Sequence, residues 1–483
     1  MLAMSLYFEG GFRFRVVDRT LAILGKALSC LPPFPGYSTV RLWAHRLGLY
    51  RLEHAKLGSR WTMICDHTAT YGCLKMFVIC GVDLDALDHR AATKQGSYSL
   101  SHEDVQPLAI VPMKTSNGEI ILESYLDCIE IHGHPETLVI DGGSDIQRSA
   151  RLLCKYQENE GIDITLPVYD LSHRIARIIQ SALQNLEQWQ RFEAMVKDAR
   201  HYTKYKARHL SPPALSHGPD RWMNLGGIIK WYSAMLERRQ LTGSNRVASP
   251  RFGVTERVLE SGRATYRKFG KLFKALKSIC GKEHPDEESY KRALEEKCPN
   301  MPPGVKTYLN EKKDLNETYV EEIMIGWEEN QEIHKEASRM LRFTNAVQKK
   351  IKLEGLSKEI VKECQGIYQE AGLSGVGETV GKQVMDVLEE MAKQLRKNQR
   401  IIATSDVLES LNGKWKMLIG GSPTPALGSN ALLMPALMGK LDACEVKQAL
   451  ETVKVEDVKE WKEATFGVTY HQEKRLERTI NTS

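Results

Sequence analysis

A chain of 483 residues, 42% hydrophobic and 27% charged, is too long for one hydrophobic core; roughly two to four domains are expected. Its ten cysteines include no C-x-x-C pair, and no charged-then-apolar segment opens the sequence, which excludes a cysteine-based zinc site and points to a reduced, intracellular protein. The net charge is only +6, yet residues 1–60 hold nine basic residues (Arg13, Arg15, Arg19, Lys26, Arg41, Arg46, Arg51, Lys56, Arg60) against Glu9, Asp18 and Glu53.

Residues 16–28 place Val17, Leu21, Leu24 and Leu28 at the spacing of one buried helical face. The prolines of "LPPFPGYSTV" break that helix, and Ser38 or Thr39 is expected to cap the next, "VRLWAHRLGL". There Val40, Trp43 and Leu47 are expected to face inward and Arg41, His45 and Arg46 outward. Helix, turn and basic-faced helix is how a helix-turn-helix presents a reading helix to DNA. A small helical subdomain that binds nothing carries the same pattern.

From Trp61 the texture is that of strands. "WTMICD" ends in Asp66, "CLKMFVICGVDL" reads as a strand to about Val82, and "PLAIVPMK" as a third. A helix over roughly 118–132, a strand "TLVID", a helix over 145–157 and a strand "DITLPVYD" complete a mixed α/β sheet layered with helices.

Beyond His173 the sequence is helical in period for more than two hundred residues. "HRIARIIQSALQNLEQWQRFEAMVKDARHYTKY" reads as one long amphipathic helix, and "ATYRKFGKLFKALKSICGK" as a basic one able to contact phosphates. "HLSPPALSHGPD" and "KCPNMPPGVK" are the expected linkers. The uncharged run over 420–439 is interrupted by prolines and glycines, which suits a packed loop and helix better than a membrane span. "VEDVKEWKEATFG" reads as a closing helix.

Three acids stand out. Asp66 and Asp141 each end an apolar strand, and Glu409 lies in "ATSDVLESLNGKWKML", where Leu408, Leu411, Trp415 and Leu418 form an apolar stripe and Glu409, Asn412 and Lys416 lie on another face. Three carboxylates are about what a pair of Mg²⁺ ions needs for phosphoryl chemistry. Each acid also has a local explanation: Asp66 and Asp141 can start turns, and Asp406 with Glu409 has capping-box spacing. Asp145 is expected to N-cap its helix.

The segments "WTMICDHTATYG", "LVIDGGSDI", "YDLSHRIARIIQ" and "TSDVLESLNGKWK", in this order, resemble the DDE transposases of bacterial insertion sequences. The resemblance implies a ribonuclease-H-like catalytic core interrupted by a large all-α insertion. It extends to the D-x-x-H of Asp170 and His173 and the Arg-Trp pair Arg221 and Trp222, features of hAT-like and Mutator-like transposases. The 268 residues between Asp141 and Glu409, against 75 between Asp66 and Asp141, leave room for the insertion.

The expected organisation is a helix-turn-helix domain over 1–57, the first part of the core over 58–180, the insertion over 181–400 and C-terminal core helices over 401–483. By the resemblance, Asp66, Asp141 and Glu409 would hold two Mg²⁺ ions (or Mn²⁺), with His173 near the scissile phosphate. Arg41, His45, Arg46, Arg221, Trp222, Lys414 and Lys416 would contact DNA. The function implied is cleavage at the ends of a mobile element and strand transfer, by a cytoplasmic, nucleoid-associated homo-oligomer. A nuclease of the same fold without strand transfer, and a non-catalytic DNA-binding regulator, remain alternatives.

Overall fold

Residues 61–66 alternate Trp61, Met63 and Cys65 with Thr62, Ile64 and Asp66, the pattern of a strand with two different faces. In the computed structural model, which describes residues 1–27, 35–71, 74–93, 97–206, 212–213, 222, 225–242, 330–419 and 428–467, this strand is the centre of a five-stranded sheet. The chain begins with helices α1 (Leu2–Phe8), α2 (Phe14–Ala27) and α3 (Tyr37–Glu53). Strands β1 (Trp61–Tyr71) and β2 (Leu74–Asp83), helix α4 (Leu84–Thr93), strand β3 (Val105–Met113) and helix α5 (Gly118–His132) follow. Next come strand β4 (Thr137–Ile140), helix α6 (Ser144–Glu160), strand β5 (Leu166–Tyr169) and helices α7 (Leu171–Leu183), α8 (Glu187–Lys206) and α9 (Leu225–Thr242). The described chain continues with α10 (Gln331–Glu354), α11 (Lys358–Glu370), α12 (Gly375–Lys393), α13 (Asp406–Ile419), a 3₁₀ turn at Gly428–Leu432, α14 (Leu433–Ala436), α15 (Ala443–Thr452) and α16 (Val455–Phe466). None of the described helices is long and apolar enough to cross a membrane.

The strand order is β3-β2-β1-β4-β5, with β1–β2 and β2–β3 antiparallel and β1–β4 and β4–β5 parallel. The odd-numbered residues Trp61, Met63 and Cys65 join Leu138, Ile140 and the apolar sides of α5 and α6 in one core. Strand alternation therefore sends Thr62, Ile64 and Asp66 to the opposite face. Every strand expected from the sequence is present. Helix α4 is an addition: Leu84, Leu87 and Ala91 are its buried face, and the Asp83 carboxylate accepts the Ala86 N–H at 2.9 Å.

Of the described residues, those within 1–174, 345–367 and 385–483 form one compact unit, and those within 175–344 and 368–384 form another. The first holds the whole sheet, α1 to α6 and α13 to α16; the divisions fall inside α7, α10, α11 and α12 instead of in linkers. The second unit is helical, with Trp189, Phe192, Trp222 and Tyr232 buried in its interior. The single long helix expected over 173–205 is two, α7 and α8, separated at 184–186, where the Gln184 carbonyl accepts the Gln190 side-chain amide at 3.0 Å. The basic helix expected over 264–282, and both expected linkers apart from Pro212 and Pro213, lie outside the described residues.

Helix α3 differs most from expectation. It starts at Tyr37 after Gly36, with no side-chain cap from Ser38 or Thr39. The C-terminal elements cover the side of it that was expected to face DNA. His45 is buried, with Nε2 3.3 Å from Asn430 Oδ1. Arg46 donates through Nε to the Val453 carbonyl at 2.5 Å and also to the Leu450 carbonyl. Arg51 is buried and donates to the carbonyls of Ala436, Met438 and Lys440 and to Glu445. Only Arg41 of the three expected DNA contacts is exposed. Basic residues at helical spacing here satisfy carbonyls of a returning chain, a use that sequence spacing does not distinguish from phosphate contact.

Gly48 shows how closely that chain approaches, since a Cβ at this position would lie 1.9 Å from the Leu432 carbonyl oxygen. Gly48→Ala should therefore cost about 1–3 kcal/mol in chemical denaturation, whereas Arg41→Ala should change stability by less than about 0.5 kcal/mol. Equal, small effects would contradict the burial of α3.

Candidate active site

Parallel pairing fixes the first part of the site. Thr62, Met63 and Ile64 of β1 pair with Thr137, Leu138 and Val139 of β4, and the buried Thr62 and Thr137 hydroxyls, 75 residues apart in sequence, meet at 2.8 Å. The same separation relates Asp66 to Asp141, so the two acids stand level on neighbouring strands and share a face. The β4–β5 register, which pairs Ile140 with Tyr169, carries Asp170 to the same level. Asp141 and Asp170 thus follow the last residues of β4 and β5, whereas Asp66, expected to end its strand, lies inside β1, which continues to Tyr71 in antiparallel pairing with β2.

Gly143 makes room beside this row. The Gly143 N–H donates to Asp141 Oδ1 at 2.7 Å. A Cβ on Gly143 would stand 3.0 Å from Asp141 Oδ1 and 2.9 Å from Asp145 Oδ1. Gly143 occupies the cap position of α6, and Asp145, expected to fill it, lies inside the helix. Its Oδ2 instead accepts from Ser116 Oγ and lies 3.1 Å from His67 Nε2. These bonds tie the middle of β1 and the segment before α5 to the start of α6.

The 170s and 400s meet at Asp170, which is buried. Its Oδ2 accepts the Ser405 backbone N–H at 2.5 Å and the Ser405 hydroxyl at 2.8 Å. Its Oδ1 accepts the His173 backbone N–H at 2.9 Å and lies 3.2 Å from His173 Nδ1. Burial would raise the Asp170 pKa, but the His173 side chain, the Ser405 amide and the His173 amide together hold it below the ordinary carboxylate value. The Leu171 N–H to Ala403 carbonyl bond at 2.9 Å and the Leu356–Ile401 bridge fix the same return of the chain.

Helix α13 starts at this anchor. Asp406 is its first residue, one position inside the cap, and its carboxylate accepts from Lys352 Nζ at 2.8 Å. Leu408, Leu411, Trp415 and Leu418 are buried as the stripe implied. The turn carrying Glu409 and Asn412 faces the aspartates. Glu409 Oε1 lies 3.8 Å from His173 Nε2, and Asn412 Nδ2 lies 3.5 Å from Asp66 Oδ2. Among the described residues, the side-chain oxygen of buried Asn412 has no hydrogen-bond partner.

The electrostatics record the convergence. Asp66 is raised to about 7 by burial first, then by the charge of Asp141 and, more weakly, of Glu409, with His173 opposing. His173 is raised to about 9 by its bond to Asp170 and by the charges of Asp170, Glu409 and Asp141, against burial. Asp66, Asp141, His173 and Glu409 thus share one electrostatic neighbourhood. Among the described residues, however, no group of three or more His, Cys, Asp or Glu side chains is arranged as a ready metal shell. The oxygens of Asp66 and Glu409 are engaged with Asn412 and His173.

Of the other expected contacts, Trp222 is 1% exposed and packs against Trp189 at 6.1 Å between centroids, so it is a core residue and no platform for a base. Arg221 lies outside the described residues. Lys414 is partly buried, which lowers its pKa, while Lys416 is exposed. Ser405 was missed by the sequence reading; a serine before an acidic helix start reads as a simple cap, although here its hydroxyl binds a strand-end aspartate. The chain matches no protein-family model and no curated protein.

Two outcomes test this geometry. Asp170→Asn should bring the His173 titration, followed by NMR, down from about 9 toward the ordinary value of about 6.5; an unchanged midpoint would contradict the anchor. Because the fold raises the Asp66 pKa to about 7, this group contributes stability below its unfolded pKa that is lost as pH rises through about 7. In chelator, Asp66→Asn should therefore exceed wild type in stability at pH 8 by roughly 1–4 kcal/mol, the gap closing as pH falls toward 4.

Proposed function

We propose that the protein is a DNA-cleaving and DNA-joining enzyme, a transposase of the DDE class with a ribonuclease-H-like core. The observation that carries the reading is that Glu409 and Asn412, on a helix more than two hundred residues further along, face Asp66 within β1 and Asp141 just after the adjacent parallel strand β4. A turn-forming aspartate needs no such partners. The order of three antiparallel strands, with α4 inserted before the third, then helix, parallel strand, helix and parallel strand supports the same core.

The residues suit hard divalent cations in charge and ligand type, although their oxygens do not form a closed shell. Asp66, Asp141 and Glu409 would hold two Mg²⁺ ions, or Mn²⁺ in their place. Such ions, when bound, supply Lewis-acid activation of the attacking oxygen and stabilise the departing one. Asp66 is raised by burial first and then by the negative charge of Asp141 and Glu409, against His173, so a cation bound there would favour its ionised form. The unsatisfied Asn412 oxygen adds a neutral acceptor to that pocket.

The chain's own residues have separable tasks. Asn412 orients Asp66 through its amide nitrogen, and Gly143 lets the loop after β4 close on Asp141. His173 stays protonated to about pH 9, so beside Glu409 it donates Nε2–H to a phosphate oxygen. The substrate is duplex DNA, with water attacking in cleavage and a DNA 3′ hydroxyl in joining. Acting on two DNA ends implies a homo-oligomer.

The test uses duplexes made from the DNA flanking the coding sequence, with Mg²⁺ or Mn²⁺. Wild type should cut the flanks and join the 3′ ends to a plasmid, and Asp66→Asn, Asp141→Asn and Glu409→Gln should each lose about 10³-fold or more of both activities. Cutting without joining of pre-cleaved ends would reduce the reading to a nuclease. Binding to DNA that is indifferent to Asp141→Asn, with no cutting, would leave a regulator.

A further inference from the structure

We infer that the exposed basic face of α2, and not α3, is the surface by which the N-terminal helices hold the DNA backbone. The inference rests on the proposed action on DNA and identifies the part of the chain that engages it. Helix α3 has turned His45, Arg46 and Arg51 into the protein. Helix α2 has done the opposite. Val17 and Leu21 are its buried side, while Arg15, Arg19 and Lys26 are all exposed.

At 100° per residue these three basic side chains fall within about 40° of one another. They form a stripe about 16 Å long, the length of about five base-pair steps of 3.4 Å. Among the described residues none of the three is ion-paired with a carboxylate. Arg15 is positioned over the Tyr37 ring, 5.6 Å from its centroid, which holds its guanidinium without neutralising it. Arg41 extends the exposed basic surface onto the start of α3.

The turn that leads into α2 lies beside the helix that carries Glu409. A Cβ on Gly11, in the turn between α1 and α2, would come within 3.1 Å of the Met417 methyl group on α13. Glu9, just before that turn, acts electrostatically on Lys414 of α13. A backbone that extends beyond the N-terminal end of α2 would run toward Lys414 on the helix that carries Glu409. Charge complementarity selects a polyanion. The flanking apolar residues Val16 and Ile23 leave an anionic membrane surface as the competing occupant.

The test measures binding of the full chain to a fluorescent 30-base-pair duplex of random sequence over a salt series, by anisotropy. The R15A/R19A/K26A variant should lower the steepness of log K against log salt by about 2–3, since each lost phosphate contact removes about 0.9, with thermal unfolding unchanged. K358A/K362A/K382A removes equal charge from exposed positions on α11 and α12 and should leave the slope unaltered. An unchanged slope in the first variant, an equal loss in the second, or displacement of the duplex by phosphatidylserine vesicles would overturn the inference. Wild type that binds no duplex even at low salt would overturn the proposed function itself, a result distinct from any of these.

Discussion

The in-register parallel pairing of β1, β4 and β5 is the constraint on which the rest depends. Once Thr62 is set against Thr137, strand geometry leaves no freedom in where Asp66, Asp141 and Asp170 emerge: level with one another, on the face opposite α5 and α6. A slip of one residue would send Asp66 into the core with Trp61 and Met63. The apolar alternation that builds the core is thus the same pattern that aims the acids.

Three acids in a row have different work because their surroundings differ. Asp170 is saturated by Ser405 and His173, which keeps it ionised and makes it a structural buckle between β5 and the returning chain. Asp66 is buried and has the like charge of Asp141 beside it, so its proton is held to near neutrality. The buckle fixes the start of α13 at Ser405, and the helix then carries Glu409 and Asn412 over the aspartates one turn later. The local cost of gathering anions is offset by packing elsewhere, chiefly Leu408, Leu411 and Trp415 against the sheet unit.

Much of this was legible in the sequence where one periodicity ruled. The five strands, α5 with both its ends, and the buried stripe of α13 follow from alternation and helical spacing alone. The grouping of Asp66, Asp141, His173 and Glu409 was expected from the resemblance of four ordered segments and not from periodicity; the fold brings them into one electrostatic neighbourhood. What failed was anything decided by a remote partner. His45 and Arg46 have the spacing of a solvent face, and only the C-terminal helices, some four hundred residues away, make that face interior. Asp145 reads as a cap, yet His67 and Ser116 recruit it. Trp222 is an aromatic in a polar stretch whose neighbour Trp189 no local pattern reveals.

The central claim is that Asp66, Asp141 and Glu409 form one pocket for divalent cations. Calorimetric titration of Mn²⁺ into the chelator-treated chain, without DNA, measures this most directly. Saturable binding that is weakened at least about tenfold by each of Asp66→Asn, Asp141→Asn and Glu409→Gln, and untouched by Asp145→Asn, is the expected result. Binding that survives all three substitutions, or that depends on the aspartates and ignores Glu409, would contradict it.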